Sequence, residues 1–396
     1  MSRDARRKAS LSLGNGWPAE MFLDGFRNGF GSLYEGWADR RGCDSFPPSQ
    51  IPLGVYTHIN FAFASIDPVT FQIRIGEPSD IKLYKQVTLL KIQQPDLKVF
   101  IAIGGWTFND PGPTQTTFSD LARSTDNQNK FFISLSSFLS TYGFDGVDID
   151  WEYPEAPDRG GRGEDFANFP TFIANLKSHL SSTGGRNGLS VTLPASYWYL
   201  QHFDIVKLQK SVDFFNIMTY DFHGIWDKGN KWLGNFLNAH TNLTEIAAAL
   251  DLLWRNNIEP DKVTLGLGFY ARTFTMTTPS CSVPGCTFES AGNAGLCTNS
   301  VGTLSNAEIA DRIEKDALTP IHYVDAAVKV ITWDDQWVAY DDVDTYKQKA
   351  DFARSLCLGG VMVWALSQDS KDLASSRAIA AITHRNIAGM FLEMNS

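Results

Sequence analysis

Short runs of β-branched and aromatic residues alternate along this chain with longer amphipathic stretches whose apolar positions recur every three or four residues. The runs near 31–37, 56–65, 98–104, 144–151, 189–195, 212–220, 263–269 and 360–366 read as strands. Several are apolar almost throughout, as strands covered on both faces must be. Helical periodicity occupies 81–94, 118–141, 165–181, 244–257, 342–356 and 371–383. Strands alternating with helices build a parallel sheet, and eight such strands close a (β/α)8 TIM barrel, so the pattern predicts an α/β fold of that class. A bare barrel needs only about 250 residues, whereas this chain has 396.

The surplus falls mainly in one place. Residues 275–340 hold a Gly/Pro/Ser-rich loop with Cys281, Cys286 and Cys297, a helical stretch and a β-like pair, which together read as a small α+β insertion between strand 7 and helix 7. The barrel is then assigned to 31–274 and 341–386, with 1–30 unassigned and 387–396 a tail. An insertion after the C-terminal end of a barrel strand rises over the face where TIM barrels carry their sites. The clustered cysteines favour a disulfide-stapled loop. A zinc site competes, but the loop has no His and no paired C-x-x-C. Five cysteines leave at least one thiol free or paired elsewhere.

The segment FDGVDIDWEYP (144–154) carries the chemistry. Asp148, Asp150 and Glu152 alternate with Val147, Ile149 and Trp151, and a strand's period of two puts the three acids on one face. Alternating charge usually marks a solvated edge strand. Here the run is the fourth of eight in a closed barrel, which has no edge, so the acids point inward. Buried carboxyls are costly unless they share protons, hydrogen-bond or do chemistry. Asp148 lies deepest and Glu152 nearest the mouth, and Glu152 is expected to stay protonated as a general acid while Asp148 and Asp150 titrate together. Asp145 has the wrong parity and reads as structural.

Charge narrows the partners. A net charge of -10 excludes nucleic acid as the main one. No stretch of 18 apolar residues provides a membrane span, and the first thirty residues lack the apolar core of a signal peptide. The seven histidines show no ligand spacing, so no metal or other cofactor is expected. Eleven tryptophans exceed the needs of a core and suit stacking on sugar rings.

DGVDIDWE resembles the DGxDxDxE signature of glycoside hydrolase family 18, the chitinases and their relatives. IGGW (103–106), MTYD (218–221), GFYARTF (268–274) and GVMVW (360–364) follow in that family's order, so the likeness runs over about 31–384. YEGWADRRGC and the Cys-rich loop look most like fungal chitinases related to the killer-toxin chitinase subunit. The resemblance implies a monomeric, secreted-type enzyme acting extracellularly on chitin or chito-oligosaccharides, with the substrate's own acetamido group as nucleophile. It implies Glu152 as acid, Asp150 and Asp148 as its partners, and Tyr220 as the group that orients the acetamido oxygen. Trp364 would floor the sugar site, with Asp221, Met218 and Arg272 along its wall. Tyr34, Phe63, Trp106, Tyr197 and Trp226, at or beyond strand ends, are further candidates to line subsites. Ala102 departs from the family's usual Ser beneath the deep acid. A non-catalytic chitinase-like lectin and an endo-β-N-acetylglucosaminidase acting on N-glycans are the alternatives that the same resemblance leaves open.

Overall fold

The computed structural model describes residues 29–383, so most of the unassigned 1–30 segment and the whole 387–396 tail lie outside the described residues. Strands β1 (Gly29–Glu35), β2 (His58–Ile66), β3 (Ile73–Arg74), β4 (Lys98–Gly104), β5 (Gly146–Asp150), β6 (Gly188–Pro194), β7 (Phe214–Met218) and β8 (Val263–Gly268) come first. An inserted set follows: β9 (Tyr270–Met276), β10 (Phe288–Ala291), β11 (Thr303–Ser305), β12 (Ile321–Tyr323), β13 (Val328–Trp333) and β14 (Gln336–Tyr340). The chain then returns to the barrel with β15 (Gly360–Trp364). Parallel pairing runs β1-β15-β8-β7-β6-β5-β4-β2, and β1 pairs with β2 to close the cylinder. The fold is a (β/α)8 TIM barrel, with β3 a short antiparallel addition to β2.

Helices pack outside, and their ends are written in the sequence. The run predicted over 118–141 is two helices, Thr117–Ala122 and Thr125–Tyr142, because Ser124 breaks it and caps the second through the Asn127 amide. Gly143 ends that helix at φ 82°, the left-handed conformation that glycine adopts without steric cost. Phe131, Leu135, Phe138 and Leu139 are the buried stripe that holds it on the barrel.

The second sheet begins at Tyr270, five residues before the 275 boundary read from the sequence. Residues 270–274 continue the apolar pattern of β8, but they pair with β11 and β14 rather than with the barrel. Its order is β10-β9-β14-β13-β12, with β11 also against β9. Phe274, Phe288 and Trp337 form its own small core. The helix Asn306–Asp316 lies across it and starts with a capping box between Ser305 and Glu308.

Cys281 and Cys286 staple the loop internally, as the clustering predicts. Cys297 instead crosses to Cys43 on the β1–β2 connection, which sequence spacing did not reveal. Cys357 is an exposed thiol. Among the described residues, no helix is long and apolar enough to cross a membrane, and no cluster of His, Cys, Asp and Glu could hold a metal ion.

Candidate active site

Asp148, Asp150 and Glu152 are all buried at the mouth end of β5. Asp148, the deepest, sits among donors: Ser190 Oγ at 2.5 Å, Thr192 Oγ1 at 3.0 Å and Asn216 Nδ2 at 3.2 Å. These come from β6 and β7. Ala102, in register with Asp148 on β4, adds none, but Asn60 of β2, beyond it, joins the donors of β6 and β7 in stabilising the charged carboxyl. Burial pushes the Asp148 carboxyl up, and its donors oppose the rise. Asp150 has one carboxylate oxygen buried without a hydrogen-bond partner among the described residues. Burial, then the charges of Glu152 and Asp148, push it well above the ordinary range. Donors stabilise the ionised form, so of the two aspartates Asp148 is the better placed to ionise and Asp150 to hold a proton.

Glu152 follows the last strand residue by two positions. Burial raises its carboxyl to about 7, against the hydrogen bond of Tyr153 and the charge of Arg159, while Asp221 and Asp110 add to the rise. A carboxyl in that range can donate a proton near neutral pH and take one back. The turn beneath it explains the IGGW motif. The Gly105 amide donates to the Asp150 carbonyl at 2.9 Å. A Cβ on Gly104 would lie 2.0 Å from that same carbonyl oxygen, and one on Gly105 would lie 2.6 Å from the Phe63 ring.

The opposite wall is built around Asp221, at φ 60° just beyond β7. Arg272 grips it with two bonds, Nε at 2.8 Å and Nη2 at 2.5 Å, and the Tyr270 hydroxyl donates at 2.6 Å. Burial acts to raise this carboxyl too, but the Arg272 guanidinium and the hydrogen bond of His240 outweigh it and hold Asp221 well below the usual carboxylate range. Arg272 also donates to Thr303 of β11 at 2.8 Å and lies under the Trp226 ring at 5.0 Å. It is therefore both a wall residue and an ion-pair partner. Tyr220 is buried inside the barrel with Met362, Tyr270 and the half-buried Met218. Burial, then the charge of Asp150, pushes the Tyr220 phenol well up, so it remains a proton donor.

Aromatic rings complete the cleft. Trp364, at the end of β15, stacks on Phe63 with centroids 5.8 Å apart, and Trp37 leans on both at 6.5 and 6.4 Å. Trp106 and Trp226 are half exposed on the loops after β4 and β7, and Tyr197 is exposed on a short helix after β6. Tyr34 is a correction. It is wholly buried on the helix side of β1, with its hydroxyl donating to the Phe46 carbonyl at 2.9 Å, while its neighbour Leu33 faces the barrel interior. The strand's parity, not its position at the mouth, decides which side chain enters. Asp145, as its parity predicts, points away and pairs with Lys91 at 2.9 Å.

Sequence reading missed Trp37, Tyr153, Asp110 and Arg159, which stand on loops where no period applies. It also passed over Ser190, Thr192 and Asn216, although each is an inward polar residue on an otherwise apolar strand, a signal that could have found them. The assembled arrangement offers a proton donor, a neighbouring buried carboxyl with an open acceptor, a phenol and a floor of rings.

The sequence profile described as Glycosyl hydrolases family 18 matches residues 33–369. Secreted chitinase LysM12 of Penicillium expansum is 31% identical over 92% of this chain and 24% of its own length. Killer toxin subunits alpha/beta of Kluyveromyces lactis are 35% identical over 69% of this chain and 23% of their own length. This chain thus spans about a quarter of either relative. The crystal structure of Ostrinia furnacalis Group II chitinase catalytic domain 2 superposes with a TM-score of 0.81 at 25% identity, covering 90% of this chain and 97% of that one. By these matches and by its barrel, this chain belongs to glycosyl hydrolases family 18.

Proposed function

We propose that this protein is a chitinase that hydrolyses β-1,4-linked N-acetylglucosamine polymers with retention of configuration, through substrate-assisted catalysis. The observation that carries the reading is a buried acid, Glu152, raised to about 7 beside an Asp150 oxygen left without a partner. Glu152 donates its proton to the glycosidic oxygen. As that bond breaks, the carbonyl oxygen of the sugar's 2-acetamido group attacks the anomeric carbon and closes an oxazolinium ring. Asp150 passes its proton down to the neighbouring Asp148, accepts the acetamido N–H and as a carboxylate balances the positive charge that develops there, while Tyr220 donates to the acetamido oxygen and orients it. Trp364 lies under the sugar's C–H face. Water, losing a proton to Glu152, then attacks the anomeric carbon and opens the ring, which restores the acid.

The substrate is chitin or chito-oligosaccharide, bound by a monomer. Two disulfides fit an oxidising compartment, consistent with action outside the cell. Product analysis of N-acetylchitohexaose beside its fully deacetylated counterpart and a high-mannose glycoprotein tests the reading. Cleavage is expected in the first alone. Efficient cleavage of the deacetylated oligomer would exclude substrate assistance, and release of the glycan would move the enzyme to another substrate class.

A further inference from the structure

Arg159 is a cation buried to 5% exposure in the loop after β5, and each of its three guanidinium nitrogens has a partner. Nε donates to the backbone carbonyl of Glu152 at 3.1 Å. Nη2 donates to the backbone carbonyl of Trp106, and Nη1 pairs with Asp110 at 2.8 Å. The planar group also covers the Trp106 ring, with its central carbon 3.8 Å from the ring centroid. Trp106 is half exposed, so Arg159 backs one face of the ring while part of it stays open to the cleft. A neutral donor could serve either carbonyl. Burying a full charge there is costly, and a planar fork that both bonds and stacks is a task for which arginine is suited.

Resting on the chitinase reading above, we propose that Arg159 is a positioning residue that locks the acid Glu152 and the sugar-stacking ring of Trp106 into one rigid unit. Sugar binding on Trp106 and proton donation by Glu152 are thereby tied to a single side chain. The same cation faces a mostly acidic surrounding. Asp150 faces Glu152 from β5, Asp110 from the loop after β4, and Asp221 and Tyr220 from the end of β7, while Tyr153 hydrogen-bonds Glu152. Arg159 opposes these acids and so limits how far Glu152 rises.

Two readouts test this. In a Glu152→Gln background, which leaves N-acetylchitotetraose intact, Arg159→Met and Trp106→Ala should each weaken its binding by about tenfold, the scale of a desolvated cation–π contact. The double substitution should add little to either, as coupled residues do. Fully additive losses would overturn the proposal, and this arm does not depend on turnover. In the otherwise native enzyme, Arg159→Met should move the alkaline limb of kcat/KM upward by about one pH unit, since loss of a nearby cation favours the protonated acid. Arg159→Lys keeps the charge and should lower kcat with the limb unmoved, and it also reports on folding. A merely structural arginine would lower kcat alike in both variants and shift neither limb. Absence of turnover in the native enzyme would defeat the chitinase reading, leaving the binding cycle to decide the role of Arg159.

Discussion

Asp150 and Asp221 are the same side chain at the mouth of one barrel, yet the first is driven to keep its proton and the second to lose it. Asp150 stands between two other carboxyls with a buried oxygen that has no hydrogen-bond partner among the described residues. Asp221 receives a bidentate Arg272, the hydroxyl of Tyr270 and the ring of His240. Burial penalises the charged form in both places. What differs is the partner, and with it the possible role: the uncompensated group leaves a carboxyl free to meet a developing cation, while the compensated one is fixed as wall. One cleft thus holds acids prepared for opposite duties by the placement of a single guanidinium.

The largest effect should come from removing the proton that the ladder holds. Glu152→Gln preserves shape, and hydrolysis of N-acetylchitohexaose should fall by about 10³-fold or more, within the range for a general acid. Calorimetric affinity for the oligomer should stay near the native value. Unchanged turnover would remove Glu152 from the reaction.

A smaller effect follows from making the wall resemble the floor. Arg272→Met strips Asp221 of its cation. Breaking a well-buried pair costs about 3–5 kcal/mol, but the Asp221 side chain is a third exposed and water screens it, so about 1–2 kcal/mol is expected from chemical denaturation. A fully stable variant would mean that Arg272 is not what sets Asp221 apart.

The smallest effect concerns the field between the two regions. The charge of Asp221 pushes Glu152 up, so Asp221→Asn should let the acid ionise sooner. The alkaline limb of kcat/KM should then move down by about half a pH unit, less than a contacting charge would give. An upward movement would reverse the sign assigned to this coupling.

The barrel was legible because its strands are apolar on both faces and its helices keep their period, and DGVDIDWE was legible because period two fixes direction. Tyr34 shows the limit of position without parity: a residue at a strand's mouth enters the cleft only if it lies on the inward phase. The start of the second sheet was hidden because Phe269 alone separates β8 from β9, and only the pairing partners tell them apart. Trp37 and Arg159 were hidden for another reason. They lie on loops, where contacts are set by tertiary approach, and the Cys43–Cys297 bridge spans 254 positions that no local pattern connects.

The protonation of Glu152 in the free enzyme is the point on which the account turns. Carbon-13 spectra of side-chain carboxyls, with the Glu152 signal assigned by its loss in Glu152→Gln, measure it directly. The account predicts a midpoint near 7. A midpoint near the ordinary glutamate value of about 4.3 would leave the acid ionised at neutral pH and contradict it.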